Sequence, residues 1–265
     1  MEFISITKDP KIAKYFEDSG IDDVMVDLEI IGKQERQKGL NTVISAHTME
    51  DVSNVRSVLT KSKLLVRINP VYENTKNEVD EAIDRGADII MLPMFKKPEE
   101  VALFLEYVGD RAQKYLLLET AAAMTRIDDV LELSGIDAIH IGLNDLSISM
   151  DLDFLYEPLI GGLIDYMAEK IKAKNIKYGF GGVSRLERGK LILSEHYRLG
   201  SEMVIINRDF RFYKENYDEI IEAVDMKKEL LKITNYLNSL SLADRTLLEY
   251  NRILLKKEIR EQMNK

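Results

Sequence analysis

Two rhythms of apolar and polar positions alternate along the chain from its first residues to about residue 208. Short β-branched or leucine-rich runs are separated by longer amphipathic stretches, the pattern of strand–helix units around a parallel sheet. Eight runs predict strands: FISI (3–6), VMVDLE (24–29), LLVRI (64–68), DIIML (88–92), KYLLLE (114–119), DAIHI (137–141), IKYGF (176–180) and MVII (203–206). Between them TMEDVSNVRSVLTKS, TKNEVDEAIDRG, PEEVALFLEYVG and RIDDVLELSG predict helices. The second, third and fourth contain or end in a terminal glycine, which stops a helix by accepting left-handed backbone, and PEE suits a first turn. Eight strands suit a closed barrel better than an open sheet, so the expected fold class is α/β, a (β/α)8 TIM barrel. A doubly wound open sheet is the second architecture. It would carry a glycine-rich fingerprint after its first strand, where this chain reads ITKDPK.

From RDFRFYKENYDEI onward the strand rhythm stops and charged helical sequence runs to Lys265. Residues 1–211 are therefore read as the barrel and 212–265 as a C-terminal helical extension. The last stretch sets Leu247, Leu248, Ile253 and Leu254 near one face. A helix folded back on its own barrel and an arm packed on another subunit both fit, because periodicity does not separate burial within a chain from burial between chains.

Strand parity points several polar groups at one place. Side chains alternate across a strand, so Leu116 and Leu118 face one way while Tyr115, Leu117 and Glu119 face the other. The same rule sends Met25, Asp27 and Glu29 inward from VMVDLE, Leu65, Arg67 and Asn69 inward from LLVRINP, and His140 inward from DAIHI. Asp145 follows in GLNDLS, a βα loop at the face where barrel enzymes place their chemistry. A carboxylate beside an apolar run costs several kcal/mol unless it is compensated. Glu119 and Asp145 are hard oxygen donors that suit Mg²⁺ or Mn²⁺ rather than zinc. The competing reading pairs Glu119 with Arg67 in a buried ion pair and makes Asp145 the cap of a helix beginning near Leu146.

Composition narrows the partners. The 265 residues carry a formal net charge of −9, which disfavours nucleic acid and anionic membrane surfaces. The chain has no cysteine, which removes disulfides and thiolate metal sites. Its start lacks a basic segment followed by an apolar one, and no run approaches the roughly 20 residues needed to span a bilayer. A cytoplasmic protein acting on a small molecule is the expectation.

VMVDLE, LLVRINP, GADIIMLP, LLLETA and IHIGLNDLS, in this order and spacing, resemble the strand-end motifs of the HpcH/HpaI aldolase and citrate lyase β-subunit family over roughly residues 20 to 208. The resemblance implies a barrel of the phosphoenolpyruvate/pyruvate type that cleaves or forms carbon–carbon bonds with a divalent metal, Mg²⁺ or Mn²⁺. It implies Glu119 and Asp145 as metal ligands, Arg67 on the reacting carbonyl and carboxylate, and Glu29 orienting metal-bound water or a neighbouring side chain. Asn69 in VRINP and Asn144 in GLNDLS fall in motifs that would contact substrate. Gly181, in GFGGVSR after the seventh strand, could admit a phosphate or thioester tail near Arg185, or could simply serve a tight turn. Hydroxy-oxo-acid aldolases of the family carry a histidine directly after the acid matching Glu29, where this chain has Ile30; His47, on the stretch after strand two, is the candidate to replace it. The implied reaction is class II aldolase-like, through a pyruvate-type enolate of a 2-oxo acid. Alternatives are a citrate-lyase-like acyl-CoA lyase acting on an acyl thioester, a catalytically inactive barrel serving as a binding or assembly subunit, and a phosphoenolpyruvate-using relative. The family resemblance also implies a homo-oligomer, a trimer or hexamer.

Overall fold

In the computed structural model, residues 1–33 and 47–264 are described. Eight parallel strands close a barrel in sequence order. They are β1 (Glu2–Ile6), β2 (Asp23–Asp27), β3 (Lys63–Arg67), β4 (Ile89–Leu92), β5 (Gln113–Leu118), β6 (Ala138–Ile141), β7 (Lys177–Val183) and β8 (Met203–Ile206). Every run expected as a strand is one. The differences lie at the ends: β2 and β5 stop before Glu29 and Glu119, so both acids open βα loops instead of closing strands.

Parity builds two cores. Met25, Leu65, Tyr115, Leu117 and Met203 fill the barrel interior. Val24, Val26, Leu64, Val66, Leu116 and Leu118 join the layer between sheet and helices. Burying one such side chain contributes about 1.5–3 kcal/mol, so a one-residue slip that exchanged the two sets would be opposed along every strand. β7 runs to Val183, past its expected end, because GFGG forms an irregularity against β8: Gly179 pairs with Met203 and Gly182 with Ile205. A Cβ on Gly179 would strike the Met203 carbonyl, and one on Gly182 the Asn207 side chain. These glycines answer to close strand approach.

The helical layer begins with α1 (Pro10–Ser19), α2 (Met49–Arg56), α3 (Thr75–Asp84) and α4 (Pro98–Val108). Asp9 caps α1 by accepting the amides of Lys11 and Ile12, and Thr48 with Asp51 makes a capping box on α2. RIDDVLELSG, expected as one helix, is largely irregular after a short α6 (Ile127–Leu131), which follows α5 (Ala121–Thr125). Then come α7 (Leu143–Ser149), α8 (Glu157–Ile160), α9 (Leu163–Ala173), α10 (Leu186–Leu199) and a 3₁₀ turn at Arg208–Arg211.

The tail forms α11 (Tyr217–Ala223), α12 (Met226–Leu240) and α13 (Arg245–Met263). α12 packs on α1 and α10, and α13 packs on α10. Leu230, Ile233, Leu255 and Ile259 thereby enter the outer core. The face of α13 turned to the barrel differs from the expected one: Asn251, Leu255 and Ile259 are buried, while Leu247 and Ile253 are exposed. Asn251 is accommodated because its amide donates to the Ser194 hydroxyl at 3.0 Å. No helix among the described residues is long and apolar enough to cross a membrane.

Candidate active site at the C-terminal mouth of the barrel

Asp27 and Arg67 end neighbouring strands in direct register, so their side chains emerge side by side. Arg67 donates from Nε to Asp27 Oδ1 at 2.8 Å and from Nη2 to Oδ2 at 2.7 Å. Lys33 Nζ donates to the same Oδ2 at 2.7 Å. Glu29 sits behind them, its Oε2 3.5 Å from Arg67 Nη2 and 3.7 Å from Lys33 Nζ. Burial alone would raise the Asp27 pKa, yet Arg67 and Lys33 hold it far below the usual carboxylate range. Arg67 therefore pairs with Asp27, and the Glu119–Arg67 ion pair of the competing reading is not among the pairs of the described residues. The reason is register: Asp27 is directly opposite Arg67, whereas Glu119 comes from a strand two places further round the barrel.

Glu119 follows β5 directly and is 2% exposed. Its Oε1 accepts from the Met94 amide at 3.2 Å. A Cβ at position 142 would lie 2.7 Å from Glu119 Oε2, which makes Gly142 a requirement of the carboxylate's placement. Burial, then the charge of Asp145, pushes the Glu119 pKa well above its ordinary value, with Arg67 offsetting part of the effect. Asp145 lies inside the first turn of α7, whose N-cap is Gly142, so it is not the helix cap.

The imidazoles take defined tautomers. His140, buried inside the barrel, donates from Nε2 to the Gly181 carbonyl at 2.9 Å and is held neutral, its pKa lowered by burial to about 4. His47 accepts the Asp27 amide at Nδ1, 3.0 Å. An amide can only donate, so the neutral His47 ring carries its proton on Nε2. Burial lowers its pKa. His47 thus reaches the mouth as expected, but as a hydrogen-bond donor rather than a free base.

Two neighbouring cavities occupy the mouth. One, about 350 Å³, is lined by Arg67, Glu119, His140, Asn144, Asp145 and Gly181 among others. The other, about 560 Å³, is lined by Asp27, Lys33, His47, Arg67, Arg208 and Arg211 among others. Arg67, Ile205 and Asn207 border both. Asn69 is placed elsewhere: its Oδ1 accepts the amides of Ile30 and Ile31 at 2.9 and 3.0 Å, and its Nδ2 donates to Glu78 at 2.7 Å. It fastens the loop after β2 and lines neither cavity. Gly181 borders the first, but its φ of +53° and the 2.8 Å that a Cβ would leave to Leu143 explain the glycine structurally. Arg185 turns away, its guanidinium 3.7 Å from the Phe212 ring centroid.

Strand parity does not reach Lys33, Arg208 or Arg211, which lie outside the strands, and it turns Asp27 inward without naming its partner. Asp27 left a usable signal, since parity sets it beside Arg67 on adjacent strands.

A divalent cation fits the first cavity. Two carboxylates border it, and burial with mutual repulsion disfavours the charged form of Glu119, a cost that a cation there would relieve. Among the described residues no group of three or more His, Asp or Glu forms a full cage. Mg²⁺ is commonly held by one or two carboxylates, with water and substrate oxygens completing its shell.

The HpcH/HpaI aldolase/citrate lyase family model matches residues 3–156. The fold is similar to an HpcH/HpaI aldolase from Desulfitobacterium hafniense DCB-2, with TM-score 0.62 and 17% identity over 84% of this chain and 93% of that one. It is similar too to a family protein from Burkholderia cenocepacia J2315, TM-score 0.59 and 13% identity over 77% and 87%. Citrate synthase SbnG gives TM-score 0.60 and 17% identity over 78% and 86%. At these identities the likeness establishes the fold. A pyruvate kinase from Methylorubrum extorquens is 30% identical over 81 residues, 31% of this chain; the chain spans 16% of that relative's length.

Proposed function

The chain belongs to the HpcH/HpaI aldolase/citrate lyase family, and from that premise we propose that it is a divalent-metal-dependent carbon–carbon lyase working through the enolate of a 2-oxo acid. Membership and fold put it among aldolase- and lyase-type enzymes. The observation that carries the finer reading is the convergence of Glu119, Asp145 and Arg67 on one cavity at the C-terminal end of the barrel.

Glu119 and Asp145 would hold the cation. When bound, Mg²⁺ or Mn²⁺ supplies Lewis-acid polarisation of a carbonyl oxygen. Asp27 takes the Nε and Nη2 edge of Arg67, which leaves Nη1 to face a substrate carboxylate or the oxygen on which enolate charge develops. A fixed donor of this kind helps most where charge grows during the reaction. The Asp27 amide fixes His47 with its Nε2 proton available to a substrate oxygen. His140, neutral and tied to Gly181, adds no competing cation and holds the β7 irregularity against the cavity.

The test is pyruvate release from a panel of 4-hydroxy-2-oxo acids with and without Mn²⁺, joined to Mn²⁺ calorimetry of Glu119→Ala and Asp145→Ala. Metal-dependent release, with metal binding lost in both variants and their circular dichroism unchanged, is the expected result. Unchanged Mn²⁺ affinity in both variants would sink the metal assignment, and no pyruvate from any substrate would sink the enolate reading.

A further inference from the structure

The larger cavity, on the β1, β2 and β8 side of the mouth, holds charge that the proposed chemistry does not use. Five basic and three acidic residues border it, in a chain whose net charge is −9. Two of the acids are already engaged. Asp9 caps α1, and Asp27 is taken by Arg67 and Lys33.

Arg208 and Arg211 occupy the 3₁₀ turn that follows β8. Residues three apart eclipse one another in a 3₁₀ helix, so the two guanidiniums share a face, and both border the cavity. Arg211 is 8% exposed, and its one ion partner among the described residues, Glu215, lies at 3.5 Å with a side chain 64% exposed. Arg208 has no ion pair and no side-chain hydrogen bond among the described residues. Burial lowers the Arg211 pKa; the charge of Glu215 offsets part of that, and the nearby charge of Arg208 adds to it. A buried charge is costly unless paired. Two under-compensated guanidiniums on one cavity wall form a site ready for an oxyanion, and guanidinium geometry matches phosphate and carboxylate oxygens.

We propose that this cavity is a second anion subsite, formed by Arg208 and Arg211, which takes a dianionic phosphate monoester at the far end of the substrate. The inference rests on the lyase reading for what occupies the neighbouring cavity. Arg67, Ile205 and Asn207 border both spaces, so the two cavities are neighbours, and the proposed substrate would place its 2-oxo acid end near Glu119 and Asp145 and its phosphate beside the two arginines. Two facing cations favour a dianion over a single carboxylate. The substrate class that follows is a phosphorylated hydroxy-oxo acid, or a phosphorylated aldehyde in the condensing direction.

The test is calorimetric titration of inorganic phosphate into the full chain with Mg²⁺ present, at mildly alkaline pH where phosphate is largely dianionic, beside the same titration with acetate. Phosphate should bind in the millimolar range and more tightly than acetate. Arg211→Met should weaken it by about tenfold or more and Arg208→Gln by several-fold, tenfold corresponding to about 1.4 kcal/mol. Glu119→Gln should retain phosphate binding, which separates this subsite from the metal. If Arg211→Met fails to fold, the half-buried Arg208→Gln decides alone. Absent phosphate binding, arginine variants that bind as wild type does, loss of binding in Glu119→Gln, or acetate binding as tightly as phosphate would each overturn the proposal. Failure of the lyase reading is distinguishable, because it would leave phosphate binding intact while no panel substrate released pyruvate.

Discussion

Asp27→Asn keeps the shape of the side chain and removes the negative charge lying between Arg67 and Lys33. The wild-type carboxylate accepts bonds of 2.8 and 2.7 Å from Arg67 and 2.7 Å from Lys33, and it is 1% exposed. Hydrogen bonds to charged groups contribute about 1.5–3 kcal/mol each, and desolvation of the ions cancels much of that sum. Removing one partner from a buried pair leaves the other charge uncompensated at a cost of about 3–5 kcal/mol. The asparagine oxygen still accepts one bond and Glu29 stays nearby, so a loss of about 3 kcal/mol at neutral pH is expected, the low end of that range. Urea unfolding followed by circular dichroism measures it. Because the folded pKa of Asp27 lies below the unfolded value of about 3.9, its contribution is complete above that pH and fades as pH falls through the folded value. Wild type and variant should therefore differ by a constant amount from pH 7 to pH 5 and converge only in strong acid. A loss below about 1 kcal/mol at neutral pH, within the range of an exposed pair, would refute the buried clamp.

Two further outcomes follow from the same geometry. Arg67→Lys keeps the charge but loses the planar fork that grips Asp27 while leaving Nη1 for substrate, so kcat should fall together with kcat/KM; a rise in KM alone would make Arg67 a binding residue. Leu242, Leu247, Tyr250 and Ile253 are 91, 43, 57 and 64% exposed on or beside α13, and a homo-oligomer built on this face is the expected assembly. Combining Leu247→Glu with Ile253→Glu should lower the light-scattering mass without unfolding the chain; a monomeric wild type, or a variant that keeps its mass, would refute that interface.

What could be read from the chain divides along a physical line. A strand has a period of two, so once Leu116 and Leu118 are assigned outward, Glu119 has only one way to face, and Asp27, Arg67 and His140 follow by the same rule. Such positions were legible one strand at a time. Partner choice was not, because whether Arg67 meets Asp27 or Glu119 depends on strand order and register around the closed barrel, which no single run encodes. Loops have no period at all. His47 precedes a helix and yet binds the amide of Asp27, twenty residues earlier, and Asn69 leaves the mouth because the amides of Ile30 and Ile31 and the carboxylate of Glu78 claim both ends of its amide. On α13 an amphipathic pattern with Leu247 and Ile253 points to the wrong face, because the buried stripe of Asn251, Leu255 and Ile259 begins with a polar residue satisfied by Ser194. The 3₁₀ turn lies between these cases. Its threefold period sets Arg208 and Arg211 on one side as firmly as a strand sets Glu119, so NRDFRF carries the second cationic pair, and its meaning depends on the fold, in which the turn follows β8 and borders the larger cavity.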